Sequence, residues 1–277
     1  MALPTPRRVL IGLLALFSTA ALVTIFFVRH KTPSHDRNWK IEHSRLPKAA
    51  VEDDRVHIQN VRNFRYDAAG RVVRPIYEDR TYSLADLESV WYGISHFGDY
   101  GLAHTFLSFG FEDGRYLAVS IEARQEMGES YSPIQGMLRR YELIYVIGDE
   151  RDIIGLRTHI RQERVYLYPL TLSAETARTL FTDMLRIADG IRLTPRFYHT
   201  ITDNCTVGII RHARQISALR RFFDYRVLLP GYSDRLGYAY GFISNDLPLA
   251  KLRKAVRIHP EGFALDDPDF HEQIRGR

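Results

Sequence analysis

The chain has 277 residues, enough to bury a core in one large domain or two small ones. Its 45% hydrophobic and 26% charged residues are ordinary for a globular protein, and 12% aromatics point to an aromatic-rich core that contains sheet. A net charge of +5 is mildly basic, but no basic run is interleaved with aromatics, which argues against nucleic acid as a partner.

The first element is an apolar span. VLIGLLALFSTAALVTIFFV, from Val9 to Val28, carries no charge. Its length matches a hydrocarbon core of roughly 30 Å and exceeds the usual apolar region of a signal peptide. It reads as an uncleaved, single-pass transmembrane helix, with residues 1–30 forming a cytoplasmic stub and anchor. The domain behind it is then exported. Flanking charge does not orient the span, since Arg7 and Arg8 precede it and Arg29 and Lys31 follow it. Residues 31–50 are polar with two prolines and read as a linker.

A folded domain is expected over residues 51–250. RVHIQNVRNFRY alternates as a strand, with Val56 and Ile58 on one parity. SLADLESVWYGISHF reads as a helix capped by Ser83, with Leu84, Leu87, Val90, Trp91 and Ile94 on one stripe. AHTFLSFGFEDGRYLAVSIEARQE reads as a hairpin that turns at Asp113-Gly114. ELIYVI and RVYLYPL add strands, and SAETARTLFTDMLRIADGI is an amphipathic helix. Another helix starts at Cys205. Loops rich in Tyr and Gly follow, then a basic C-terminal helix and tail over 251–277. Clustered strands with helices at both ends make the class α+β.

Loop length sets the hairpin register. Cross-strand partners share a face, and an even loop would put Leu107 opposite Ser120, mixing apolar with polar. A three-residue loop, Glu112-Asp113-Gly114 with glycine in the left-handed region, is a favoured type. It pairs Leu107 with Val119 and Phe109 with Leu117, and sets His104 opposite Glu122. An imidazole then stands beside a carboxylate, as a site pair or as a partly buried sheet histidine with a convenient partner.

Cys205, the single cysteine, sits where a helix should begin, with Asp203 or Asn204 as N-cap. First-turn N–H groups and the helix dipole favour a thiolate there and can serve an oxyanion. Cys205 as nucleophile, His104 as base and Glu122 as orienting group would make a catalytic set; the alternative is a buried thiol packed under a helix. Arg124 lies on the charged stretch SIEARQEMGESY, as a supporting or recognition residue or simply a solvated one.

The stretches VHIQNVRNFRY, LAHTFLSFGFEDGRYLAVSIEARQE, VYLYPL and PRFYHTITDNCTVGII resemble, in order, the domain of unknown function 4105. This is the Lnb N-terminal periplasmic domain family, called after a bacterial lipoprotein N-acyltransferase. The similarity runs from about residue 38 to 245. It implies a circularly permuted, papain-like (NlpC/P60-type) antiparallel sheet packed on helices, with His before Cys as in His104, Glu122, Cys205. The family's usual Asn-Asn-Cys reads Asp203-Asn204-Cys205 here. The resemblance implies a thiol acyltransferase at the periplasmic face of the bacterial inner membrane. Its substrate would be a lipid or lipoprotein ester at the membrane surface, its acceptor an amine, with no metal or cofactor. A cysteine peptidase or amidase on cell-wall peptide, or a non-catalytic envelope binding protein, would use the same cleft.

Overall fold

The computed structural model describes residues 7, 10, 13–19, 26, 31–214, 224–244 and 246–276. Among these described residues the strands are β1 (Lys48–Glu52), β2 (Arg55–Arg62), β3 (Arg65–Tyr66), β4 (Val72–Arg74), β5 (Tyr77–Ser83), β6 (Leu87–His96), β7 (Ala103–Phe111), β8 (Tyr116–Arg124), β9 (Glu142–Gly148) and β10 (Arg164–Pro169). Eight form one sheet in the order β1-β2-β9-β8-β7-β6-β10, with β5 paired to β2; β3 and β4 pair separately. All the pairings in the large sheet are antiparallel except β2 with β9, which is parallel at Arg62–Gly148. The class is α+β, but the sheet is mixed, not antiparallel as expected.

The transmembrane helix in the expected fold is also corrected. Among the described residues, no helix is long and apolar enough to cross a membrane. Most of Val9–Val28 lies outside the described residues.

The helix expected over 83–97 is strand β6. Val90, Tyr92 and Ile94 face one core, while Trp91 between them faces another. A strand buried on both sides shows a near-continuous apolar run, and a run of that kind also contains a helical stripe. Ser83 caps nothing; its hydroxyl donates to Asp54 Oδ2 at 2.8 Å. In β2, Val56 and Ile58 alternate inward until Asn60, whose φ of 62° inserts a bulge and turns Val61 inward instead.

Helices α1 (Pro133–Met137), α2 (Glu150–Ile153), α3 (Ala174–Leu193) and α4 (Cys205–Ala213) follow or interleave the strands. The side chains of Leu107, Phe109, Val119 and Ile121 form a core with Leu180, Phe181 and Met184 of α3 and Ile209 of α4. On the opposite face Trp91, Phe106 and Tyr116 pack with Ile154, Phe270 and Ile274. That second core is closed by Arg275. Its side chain is fully buried, pairs with Glu150 at 2.6 Å and lies over the Tyr116 ring at 3.5 Å.

Residues 31–50, read as a linker, lie against the domain and include the start of β1. Lys40 N donates to Gln125 O at 3.0 Å and Met127 N to Asn38 O at 2.7 Å, so residues 38–40 run beside the end of β8.

Candidate active site

The β7–β8 hairpin has the expected register, with Leu107 opposite Val119 and Phe109 opposite Leu117. Gly114 supplies the left-handed position at φ 76°. Gly114 N donates to Phe111 O at 2.9 Å and Phe111 N to Arg115 O at 3.0 Å, which closes the three-residue loop. The ladder ends at Phe106–Ser120, two residues short of the rung that His104 and Glu122 would share. Where pairing stops, a cavity of about 470 Å³ opens, lined by His104 and Glu122 and also by His43, Arg157, Tyr198 and Cys205.

His104 and Glu122 are joined through a third residue. His104 Nε2 lies 2.6 Å from Ser120 Oγ, Ser120 Oγ donates to Glu122 Oε1 at 2.7 Å, and Nε2 stands 3.8 Å from that carboxylate oxygen. A serine hydroxyl has one hydrogen. Since Ser120 gives it to Glu122, it accepts from His104, which puts the ring proton on Nε2 and the lone pair on Nδ1. Burial, reinforced by the charge of Arg157, pushes the His104 pKa down to about 3 despite the opposing pull of Glu122. The ring is therefore a neutral base at neutral pH.

Glu122 is held as a carboxylate. Burial works against its charge, but the His43 hydrogen bond and the Arg157 guanidinium hold it well below the usual range. Arg157 Nη2 sits 3.1 Å from Oε1 and His43 Nε2 3.3 Å from Oε2. With Ser120, both oxygens are occupied.

Cys205 is the first residue of α4 and is 5% exposed. Asn204 is the N-cap, accepting from Val207 N at 2.8 Å, and its amide donates to Thr200 O at 2.7 Å. Gly208 lets this end of the helix approach the sheet, since a Cβ there would meet Ile121 Cδ1 at 2.5 Å. Asp203 faces away from the cavity toward Arg211 and Arg196, at 2.9 and 3.5 Å.

The thiol and the imidazole share the cavity without touching. Cys205 Sγ is 4.0 Å from Thr206 Oγ1, and Thr206 Oγ1 is 3.1 Å from Thr105 Oγ1. Successive strand residues point to opposite faces. Thr105 thus meets α4 on one side of β7, while His104 meets Ser120 on the other. Tyr131 and Tyr198 also line the cavity, with their hydroxyls 3.2 Å apart.

Arg124 is buried and serves the chain, not the cavity. Nε donates to His43 O at 2.9 Å, Nη2 to Ser44 O at 3.2 Å, and the guanidinium lies 4.0 Å over the Trp39 ring. Loss of hydration lowers its pKa to about 10.

Sequence reasoning missed Ser120, Arg157 and His43. Ser120 was within reach, since it shares the parity of Glu122 on β8 and sits diagonally from His104 in the inferred register. Arg157 and His43 come from distant segments, with no local signal. Among the described residues, no group of three or more His, Cys, Asp or Glu side chains has a metal-binding arrangement.

The family described as the Lnb N-terminal periplasmic domain matches residues 74–231. No curated protein and no solved structure matches the chain.

Proposed function

Since this chain belongs to the Lnb N-terminal periplasmic domain family, and is on that ground a periplasmic envelope protein, we propose that its cavity carries out thiol-dependent acyl transfer. One observation carries the reading: Cys205, His104 and Glu122 line a single cavity, and His104 presents Nδ1 as a lone pair while Ser120 and Glu122 hold Nε2. A neutral ring with one nitrogen held and the other offering its lone pair supplies part of what a general base needs; the contact with the thiol is made only when the cavity closes.

In the proposed reaction the Cys205 proton passes to His104 Nδ1 as the two groups close across the cavity. The thiolate attacks the carbonyl of a lipid or diacylglyceryl-lipoprotein ester, the acyl C–O bond breaks, and the leaving alkoxide takes the proton from His104. An amine, such as a lipoprotein N-terminus, then attacks the thioester. The C–S bond breaks, the nitrogen becomes acylated, and its proton returns to the thiolate by way of His104. Cys205 and Thr206 N–H groups in the first turn of α4 are the donors available to the oxyanion. Asn204 supports them by fixing the cap.

A binding role without turnover is the second reading. It is favoured by the contact of Cys205 with Thr206 instead of with His104. Incubation with a diacylglyceryl lipopeptide and a phospholipid separates the two. Acyl transfer yields a hydroxylamine-labile adduct on the wild type, none on Cys205→Ser, and an N-acylated peptide by mass spectrometry. Binding of the lipopeptide without adduct or product would leave the second reading.

A further inference from the structure

We propose that His43, which lies outside the stretch matched by the family, is a positioning residue that completes this site from the N-terminal segment. The inference rests on the reading of His104 as the base of the cavity. It asks what fixes the Ser120–Glu122 pair that orients that base.

A glutamate carboxylate turns easily, because its terminal torsion is broad and nearly two-fold. Glu122 would point a useful oxygen at Ser120 only if both oxygens were held. Oε1 is met by Ser120 at 2.7 Å and Arg157 at 3.1 Å, and Oε2 by His43 Nε2 at 3.3 Å. The proton on His43 is assigned by its other nitrogen. Gln125 N–H donates to His43 Nδ1 at 3.0 Å, so Nδ1 is an acceptor and Nε2 carries the hydrogen. His43 is therefore neutral and aimed at Glu122 by a backbone bond from β8's own continuation.

The segment is sewn in place for this. Arg124 grips the carbonyls of His43 and Ser44, stacks on Trp39, and lies 3.1 Å from His35 Nδ1 through Nη1. Lys40 N donates to Gln125 O at 3.0 Å. The His43 side chain is left about one-tenth exposed, facing the carboxylate. Around His104 stand Ser120 and Glu122 of β8, Arg157 and Arg161, and on β6 its cross-strand partner Ser95, whose hydroxyl donates to Glu163. His43 acts on the base only through Glu122.

The test is ring-nitrogen NMR on the full chain labelled with 15N-histidine. In the wild type His43 and His104 should both show the Nε2–H tautomer. His43→Phe keeps a ring of similar size but removes the donor, and with it the positive end of an N–H dipole at Oε2. Glu122 then acts more strongly on His104, whose acid dissociation constant should fall about tenfold, one pKa unit. His43→Gln offers an amide donor and should return it to within about twofold of the wild type. A folded His43→Phe protein with an unchanged His104 titration would overturn the proposal. So would a wild-type His43 that is charged or protonated on Nδ1, a result that needs no variant to fold. Failure of the acyl-adduct experiment with these NMR results intact would remove the proposed reaction and leave the positioning role standing.

Discussion

Ser120 receives the Nε2 hydrogen of His104 at 2.6 Å and passes its own to Glu122. Its hydroxyl is thus both the acceptor for the ring and a donor to the carboxylate, inside a fully buried position. Ser120→Ala would leave a donor without an acceptor, at a cost of about 1–3 kcal/mol. Urea unfolding should show that loss, and the same variant should lose the fixed His104 tautomer in ring-nitrogen spectra. A variant with wild-type stability and tautomer would remove the relay.

His104 also makes the fold sensitive to acid. Its folded pKa is pushed down to about 3 from 6.5, so the unfolded chain takes up a proton below about 6.5 that the folded protein refuses until near 3. Stability contributed by this group is fully present above 6.5 and falls as pH drops through that window. The slope is at most about 1.4 kcal/mol per pH unit. His104→Gln should flatten the stability profile between about pH 6.5 and 4.5. Burial lowers His35, His96 and His212 as well, so part of the slope should remain.

Carboxylates take over lower down. Glu122 and Glu150 are both depressed in the fold, Glu150 to about 2, with burial opposed by Arg275 and His271. Their contributions are present above the unfolded value of about 4.3 and are lost as pH falls below it. Glu122→Gln would leave Arg157 buried without its carboxylate, a break that costs about 3–5 kcal/mol. Its stability curve should lie below the wild type at neutral pH and converge with it in acid. Parallel curves would show that Glu122 carries no such role.

The thiol is the most direct probe of chemistry. Cys205 should react with a small electrophile in the folded protein, and His104→Ala should slow acyl-enzyme formation by about 10²–10⁴-fold. Labelling that appears only on denaturation would mark a packing residue and favour the binding reading. The 5% exposure of Cys205 makes a small reagent the right choice.

On the far face, Arg275 and Glu150 form a buried pair with Ser108 and His271 around them. Arg275→Met should destabilise the protein by about 3–5 kcal/mol, since it strands Glu150. Adding Glu150→Gln should recover much of that in chemical denaturation. A double variant no more stable than the single one would place the cost in lost stacking on Tyr116.

The parts of the site that were legible in the sequence are the local ones. Gly114 and the alternation of Leu107, Phe109, Leu117 and Val119 are enough to fix the hairpin register, and Asn204 before an apolar run marks the start of α4. Strand β6 reads as a helix because Val90, Tyr92 and Ile94 are buried on one face and Trp91 on the other, which erases the two-residue alternation. The parallel contact of Arg62 with Gly148 and the reach of His43 and Arg157 to Glu122 join residues far apart in sequence. No periodicity records such meetings.

The stretch that the family matches is narrower than the body that holds it together. Residues before 74 supply β1 and β2, the Arg62 guanidinium that clasps Asp152 at 2.9 and 3.0 Å, and the His43 contact with Glu122. Residues after 231 supply Phe270, Ile274 and Arg275, which close the second core. A chain cut to 74–231 would expose the flank of β9, and the side of that core that residues 258–275 cover, to water. It would behave as a sticky, half-assembled sheet, so the unit of recognition and the unit of cooperative folding do not coincide in this protein.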